Sequence, residues 1–204
     1  SKPIIVATQM MESMIEGITP SRAEVNDVAN AVMDGADAVM LSGETSVGLH
    51  PDLVIQTMSN IASRVEEFEG IYHPELEPVY NKERYITDHV CNSTVYMAKH
   101  TGAKAIATMS YSGYTAYVLS SRRPKAYVYV FTSNRNILNT VSLIWGVKGF
   151  YYDDNTSTEK TMKDIQKILQ EKGYLDKGDF FLHMVSMPLD KSGKSNTVLL
   201  NEVE

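Results

Sequence analysis

The chain has 204 residues, with 25 Asp and Glu against 19 Lys and Arg and a formal net charge of −6. At 43% hydrophobic and 22% charged residues, it is not a collagen, a coiled coil, a disulfide scaffold or a disordered segment, and its length admits one or two domains of roughly 100–200 residues. The acidic balance argues against a nucleic-acid partner, because neutralising phosphates needs a basic face, so any bound anion must meet a local site.

Residues 3–7 (PIIVA) are continuously apolar, as in a parallel strand covered on both faces, and a polar, Met-rich stretch follows. Across 22–33, Ala23, Val25, Val28, Ala29 and Val32 recur near helical spacing. Ser21 with Glu24 three residues on marks the helix start, and Gly35 its end. Residues 36–41 (ADAVML) predict a second strand, which opens into the polar cluster Ser42-Gly43-Glu44-Thr45. Residues 52–68 predict a helix with Leu53, Met58, Ile61 and Val65 inward. The stretch 70–82 holds two prolines and no sustained period, which reads as a linker or a wrapping loop.

Beyond it, helices are predicted at 85–100, 115–121, 137–145 and 158–171, and strands at 103–109, 126–131, 147–152, 180–185 and 197–203. This alternation implies a mostly parallel sheet with helices on both sides. The last two strands are separated only by a loop containing Pro188 and Gly193, so they predict an antiparallel hairpin at the sheet edge.

Ligand sites in α/β folds gather at the C-terminal ends of strands. Three junctions qualify: Thr8-Gln9-Met10, Ser42 to Thr45, and the run Ser110, Tyr111, Ser112, Gly113, Tyr114, Thr115. The third sets hydroxyls and a glycine ahead of a helix N-terminus, where backbone N–H groups and the helix dipole suit an anion such as phosphate. The same residues also make an ordinary cap and tight turn. Arg122, Arg123 and Lys125 either assist an anion or form a solvated helix end beside Pro124.

Glu12, Glu16 and Glu24 are candidate catalytic or metal-binding carboxylates, though exposed helix-face residues are the commoner case, and Cys91 reads as a small buried helix residue of a chain suited to a reducing compartment. His50, His73, His89, His100 and His183 lack metal-ligand spacing. Tyr111, Tyr114, Tyr117, Tyr127 and Tyr129 read as sheet and helix packing rather than base-stacking platforms. No apolar run approaches the roughly 18 residues of a membrane span, and the expectation is a cytoplasmic protein.

The run from residue 2 to 51 carries ATQM, PSRAE and DVANAV followed by DGADAVMLSGET, and it resembles the end of the catalytic barrel of pyruvate kinases. Residues 85–204 resemble that family's C-terminal domain more loosely, through the SGYT loop at 112–115, Arg123-Pro124, Lys177-Gly178-Asp179 and the final Ser-Asn-Thr strand. The resemblance implies an α/β chain: an incomplete (β/α)8 barrel segment, then a three-layer α/β/α domain whose mostly parallel five-stranded sheet ends in an antiparallel edge strand. The implied boundaries are 1–70 for barrel strands seven and eight with their helices, 71–84 for a linker, and 85–204 for the allosteric domain. A whole barrel takes about 250 residues, so the chain reads as the C-terminal piece of a longer enzyme, cut through its barrel at the abrupt start.

Pyruvate kinases are cytoplasmic glycolytic enzymes, tetramers as a rule. They transfer phosphate from phosphoenolpyruvate to ADP, giving pyruvate and ATP, with Mg²⁺ and usually K⁺. By resemblance, Thr8 matches the active-site threonine over the enolpyruvate carbon that is protonated, and Ser42 a serine close to the same pocket. Arg22 matches an arginine at the contact between neighbouring catalytic domains, and Gln9 and Glu44 are grouped with it at the substrate pocket or the oligomer contact. Ser110, Tyr111, Ser112, Gly113, Tyr114 and Thr115 match the loop that binds the phosphate of a sugar-phosphate or nucleotide effector. Lys191 and Lys194 lie on the matching effector lid. The family's catalytic lysine, its Mg²⁺ carboxylates and its K⁺ and ADP contacts precede this segment, so the chain is expected to hold no metal and to be inactive alone. The alternative is a stand-alone regulatory module that binds a phosphate metabolite.

Overall fold

The computed structural model describes residues 2–72, 83–154, 157–187 and 195–204. They fall into two compact units, Lys2–Ile71 and Tyr72–Glu204.

In the first unit, strand β1 (Ile5–Ala7) pairs in parallel with β2 (Ala38–Met40), in the register Ile5↔Ala38, Val6↔Val39, Ala7↔Met40. Both strands are shorter than their apolar runs, because each finds a single ladder partner among the described residues. Only one sheet face is covered. Val6 and Val39 pack on the core, whereas Ile4 (59% exposed), Ile5 and Met40 are not covered by other described residues.

Helix α1 (Arg22–Met33) begins in a complete capping box: Ser21 Oγ accepts the Glu24 N–H (3.3 Å) and the Glu24 carboxylate accepts the Ser21 N–H (2.7 Å). A single helical turn, α2 (Gly43–Ser46), follows β2, and α3 (Pro51–Glu66) starts on Pro51. Val28 of α1 and Val54 and Met58 of α3 bury against Met10, Met11 and Met14. The Met-rich stretch after β1 is therefore core, closed by a 3-10 turn at Glu12–Met14.

The second unit holds α4 (Tyr85–Thr101), β3 (Ala105–Met109), α5 (Tyr114–Ser120), β4 (Tyr127–Thr132), α6 (Arg135–Val141), β5 (Val147–Tyr151), α7 (Thr158–Glu171), β6 (Phe180–Val185) and β7 (Thr197–Glu202). Its five strands run β5-β4-β3-β6-β7, all parallel except the antiparallel edge pair β6 and β7.

Side chains alternate across the pleat. Ile106, Val130 and Leu182 enter one core with Cys91 and Val95 of α4, Leu119 of α5 and Val141 of α6. Ala105, Ala107, Phe131 and Phe181 enter the other with Ile165 and Leu169 of α7. Helices thus lie on both faces of the sheet, giving three layers. Cys91 is fully buried, and desolvation drives its thiol pKa well up.

Three local expectations are corrected. Helix α6 stops at Val141, not Trp145, because the chain tightens into i to i+3 turns (Ile144 N–H to Val141 O) and then reverses at Gly146 with φ 67°. Arg123 is not on a solvated end: it is 8% exposed and its guanidinium stacks 4.7 Å above the Trp145 ring. Tyr129 packs as expected, but Tyr111 at a loop tip and Tyr127 at a strand start are exposed (76% and 64%). Among the described residues no helix is long and apolar enough to cross a membrane. Lys191, Lys194 and residues 73–82 of the expected linker lie outside the described residues.

Candidate functional site

The two parallel strands of the first unit end side by side, with Ala7 opposite Met40. Just past them stand Thr8 and Gln9 on one side and Ser42 on the other, all exposed. Thr8 (φ 75°) and Gln9 (φ 54°) both occupy the left-handed region, which for non-glycine residues costs of order 1–3 kcal/mol each and persists only where the surroundings over-determine it. Ser42 is also irregular, at φ −130° and ψ −97°.

Two buried carboxylates accept backbone N–H groups here, Glu44 behind these turns and Glu24 farther along the loop to α1. Glu44, 3% exposed, accepts the Met11 N–H on Oε1 (3.2 Å) and the Ser42 N–H on Oε2 (2.8 Å). Glu24 accepts the Ser13 N–H (2.7 Å), the Ser13 hydroxyl and the Ser21 N–H. Burial alone would raise both pKa values, but the hydrogen bonds to the ionised forms outweigh it: Glu24 comes down to about 2, and Glu44 is lowered by the Ser42 and Met11 N–H groups.

Glu24 is therefore no exposed helix-face residue, because only an inward carboxylate reaches Ser13. Arg22 begins α1 and is exposed. Thr8, Gln9, Ser42 and Glu44 thus share one end of the two-stranded sheet, with Arg22 on the neighbouring helix terminus. The bridging of two loops by Glu44 was not legible in sequence, where the residue stood out as a carboxylate in a strand-end polar cluster and through the family resemblance.

In the second unit, β3 hands the chain to α5 through Ser110–Gly113. Gly113, at φ 76°, caps the helix, Ser110 Oγ accepts the Gly113 N–H (3.0 Å) and Ser112 Oγ accepts the Tyr114 N–H (3.4 Å). These are the bonds of a cap and tight turn. Tyr111 stands at the exposed tip, its carbonyl accepting from the Asn134 side-chain amide (3.2 Å), and Thr115 is 5% exposed. Tyr114 donates to Asp88 Oδ1 on α4 (2.7 Å) and lies under the Arg84 guanidinium at 4.0 Å, and burial first, then Asp88, pushes its phenol up to about 12.

On the other side of the sheet, a groove of about 1110 Å³ runs along α7, lined by Gln166, Gln170, Lys177, Phe181, His183 and Asn201 among others. His183 is fully buried there and neither ring nitrogen has a hydrogen-bond partner. None of residues 110–115 lines this groove. Among the described residues no three His, Cys, Asp or Glu side chains gather as a group that could hold a metal ion.

The description "Pyruvate kinase, alpha/beta domain" matches residues 88–200, and "Pyruvate kinase, barrel domain" matches residues 1–55. The pyruvate kinase of Lactobacillus delbrueckii subsp. bulgaricus is 36% identical over 98% of this chain and 34% of its own length. That of Bacillus licheniformis is 40% identical over 89% of this chain and 31% of its own length. A crystal structure of a pyruvate kinase from Cryptosporidium parvum superimposes with a TM-score of 0.85 at 30% identity, covering all of this chain and 40% of that one. The chain thus spans 31% to 40% of the length of these relatives. Because the alpha/beta match alone takes in more than half of its residues and the barrel match fills most of the remaining unit, the chain belongs to the pyruvate kinase family and corresponds to its C-terminal portion.

Proposed function

We propose that this chain forms one flank of the active site and the effector domain of a cytoplasmic, homo-oligomeric pyruvate kinase, tetrameric like its family, that transfers phosphate from phosphoenolpyruvate to ADP. The observation that carries the reading is the strained Thr8–Gln9 turn beside Ser42, at the strand ends where a barrel of this kind works. In this reading the Thr8 hydroxyl faces the enolpyruvate carbon as it gains its proton, Ser42 lines the same pocket, and Arg22 and Gln9 stand at its rim toward a neighbouring subunit.

Phosphoryl transfer rests on charge neutralisation by metal and cationic groups. Among the described residues no three His, Cys, Asp or Glu side chains gather to hold the family's Mg²⁺, and Glu24 and Glu44 are engaged by backbone N–H groups. The expected outcome is that a complete enzyme carrying this sequence forms ATP from phosphoenolpyruvate and ADP in a coupled assay, while the purified 204-residue chain forms none. ATP formation by the chain alone would falsify the division of labour.

The loop 110–115 supports a second part of the reading, binding of an effector phosphate, with a sugar monophosphate or nucleoside monophosphate favoured over fructose 1,6-bisphosphate. Its support is the turn itself, which sets the Ser110 and Ser112 hydroxyls beside the exposed Tyr111 tip just ahead of α5, with Thr115 buried behind them. Calorimetric titration with ribose 5-phosphate, AMP and fructose 1,6-bisphosphate is expected to give heat for at least one. A hydrogen bond to a charged group is worth about 1.5–3 kcal/mol, so Ser112→Ala or Thr115→Ala should weaken it about tenfold or more. Unchanged affinity in both variants removes this part. A stand-alone regulatory module would bind the same ligands, but it leaves the barrel match over residues 1–55 without a role.

A further inference from the structure

We propose that Glu44 is a positioning residue for proton transfer: it fixes the Thr8 turn and Ser42 relative to each other by bridging the two strand-end loops with one buried carboxylate. The inference rests on the reading of Thr8 and Ser42 given above.

Thr8 and Gln9 hold an unfavourable backbone conformation, so both sides of their turn must be anchored. On the upstream side Ala7 is anchored in the ladder opposite Met40. Downstream, Met10 (4% exposed) and Met11 (0%) are gripped by the core, and Met11 gives its N–H to Glu44 Oε1. The other oxygen of the same carboxylate takes the N–H of Ser42, whose own dihedrals are irregular. Met11 lies three residues after Thr8, and Ser42 is itself the second candidate. A displacement of one loop is therefore passed to the other through a single rigid planar group.

The chemistry selects a carboxylate. Both donors are backbone N–H groups, so both partner atoms must be acceptors, which an ionised Glu supplies and a Gln cannot. The hydrogen bonds favour the ionised form despite burial. Glu24 provides an internal contrast: it is also buried and also ties backbone N–H groups, but those of Ser13 and Ser21, farther along the loop and at the start of α1.

The test uses the complete enzyme that carries this sequence. Misplacing a reacting group by about 1 Å can cost about 100-fold. Glu44→Gln is therefore expected to lower kcat by about 10- to 100-fold, with KM for phosphoenolpyruvate changed less than about threefold, the signature of an interaction felt in the transition state. The exchange of pyruvate methyl hydrogens for solvent deuterium, followed by NMR, reads the protonation step without phosphoryl transfer and should fall by a similar factor. Glu24→Gln should lower the melting temperature but leave exchange within about twofold. If Glu44→Gln does not yield folded enzyme, Glu44→Asp, which keeps the charge and shortens the reach, is read in its place.

Exchange and kcat within twofold of the parent in the folded variant overturn the proposal. So does equal loss of exchange in the Glu24 and Glu44 variants, and so does failure of both Glu44 variants to fold, which would make the carboxylate a folding requirement only. Thr8→Ala separates this inference from the reading beneath it. If Thr8→Ala leaves exchange intact, the reading of Thr8 falls; if it abolishes exchange while Glu44→Gln does not, only the bridge falls.

Discussion

His183 sits at the floor of the groove beside α7 with both ring nitrogens unbonded, and burial brings its pKa from 6.5 down to about 4. In the unfolded chain the same imidazole titrates near 6.5, so the unfolded state binds the extra proton first as pH falls. The stability is complete above about pH 6.5, declines between 6.5 and about 4, and levels off below that. At 1.36 kcal/mol per pKa unit the decline amounts to about 3 kcal/mol. His183→Leu, which fits an apolar surround, should flatten that limb: urea midpoints measured from pH 7 to pH 4 are expected to fall less steeply than in the parent. Parallel curves would show that the imidazole keeps its solution pKa. Sequence could not single this residue out, because a lone histidine on a strand reveals neither its burial nor its lack of partners. Glu24 and Glu44 were singled out in sequence, but their bonds to the Ser13, Met11 and Ser42 N–H groups depend on what the fold brings within reach.

Among the elements, those with both periodicity and end signals were legible to the residue. Helix α1 begins at a Ser-x-x-Glu capping box, and α7 begins after Ser157, whose hydroxyl accepts the Lys160 N–H. Both match the predicted bounds. Helix α6 did not, because Ile144 and Trp145 continued its apolar pattern while the geometry of Gly146 ended it early.

Its neighbour β5 explains how closely α6 sits on the sheet. A Cβ built on Gly149 would meet Leu138 Cδ2 and Val141 Cγ2, both at 2.9 Å. Gly149→Ala should therefore push α6 outward and cost about 1–3 kcal/mol, the range for overpacking. Thermal denaturation checks this, and an unchanged melting temperature would mean that α6 yields freely. The short β1 and β2 carry the opposite lesson: their apolar runs reported the full strand potential, but the ladder reaches only as far as a partner exists.

At the scale of the molecule, the main strands and helices, the three layers of the second unit and its antiparallel edge pair were present in the alternation of apolar runs, while the single turn α2 lay hidden in a polar cluster. The resemblance to pyruvate kinases was carried by the contiguous blocks of the first fifty residues. Thr8, Ser42 and Glu44 were named as candidates from sequence, but the left-handed turn and the hydrogen bonds that Glu44 makes were not readable there. Sequence patterns report local periodicity, and the bridge is a contact between residues 11, 42 and 44.

The strand order β5-β4-β3-β6-β7 also has a consequence for assembly. Strand β3 is central, and its two edges are filled at very different times as the chain is made: Ala105 meets Tyr127 on one side and Phe181 on the other. On a ribosome, β3, β4 and β5 can pair early, but one backbone edge of β3 stays unsatisfied until α7 and β6 have emerged. The vulnerable interval in the life of this domain is thus its synthesis, when an open parallel strand edge waits for a partner encoded near its end.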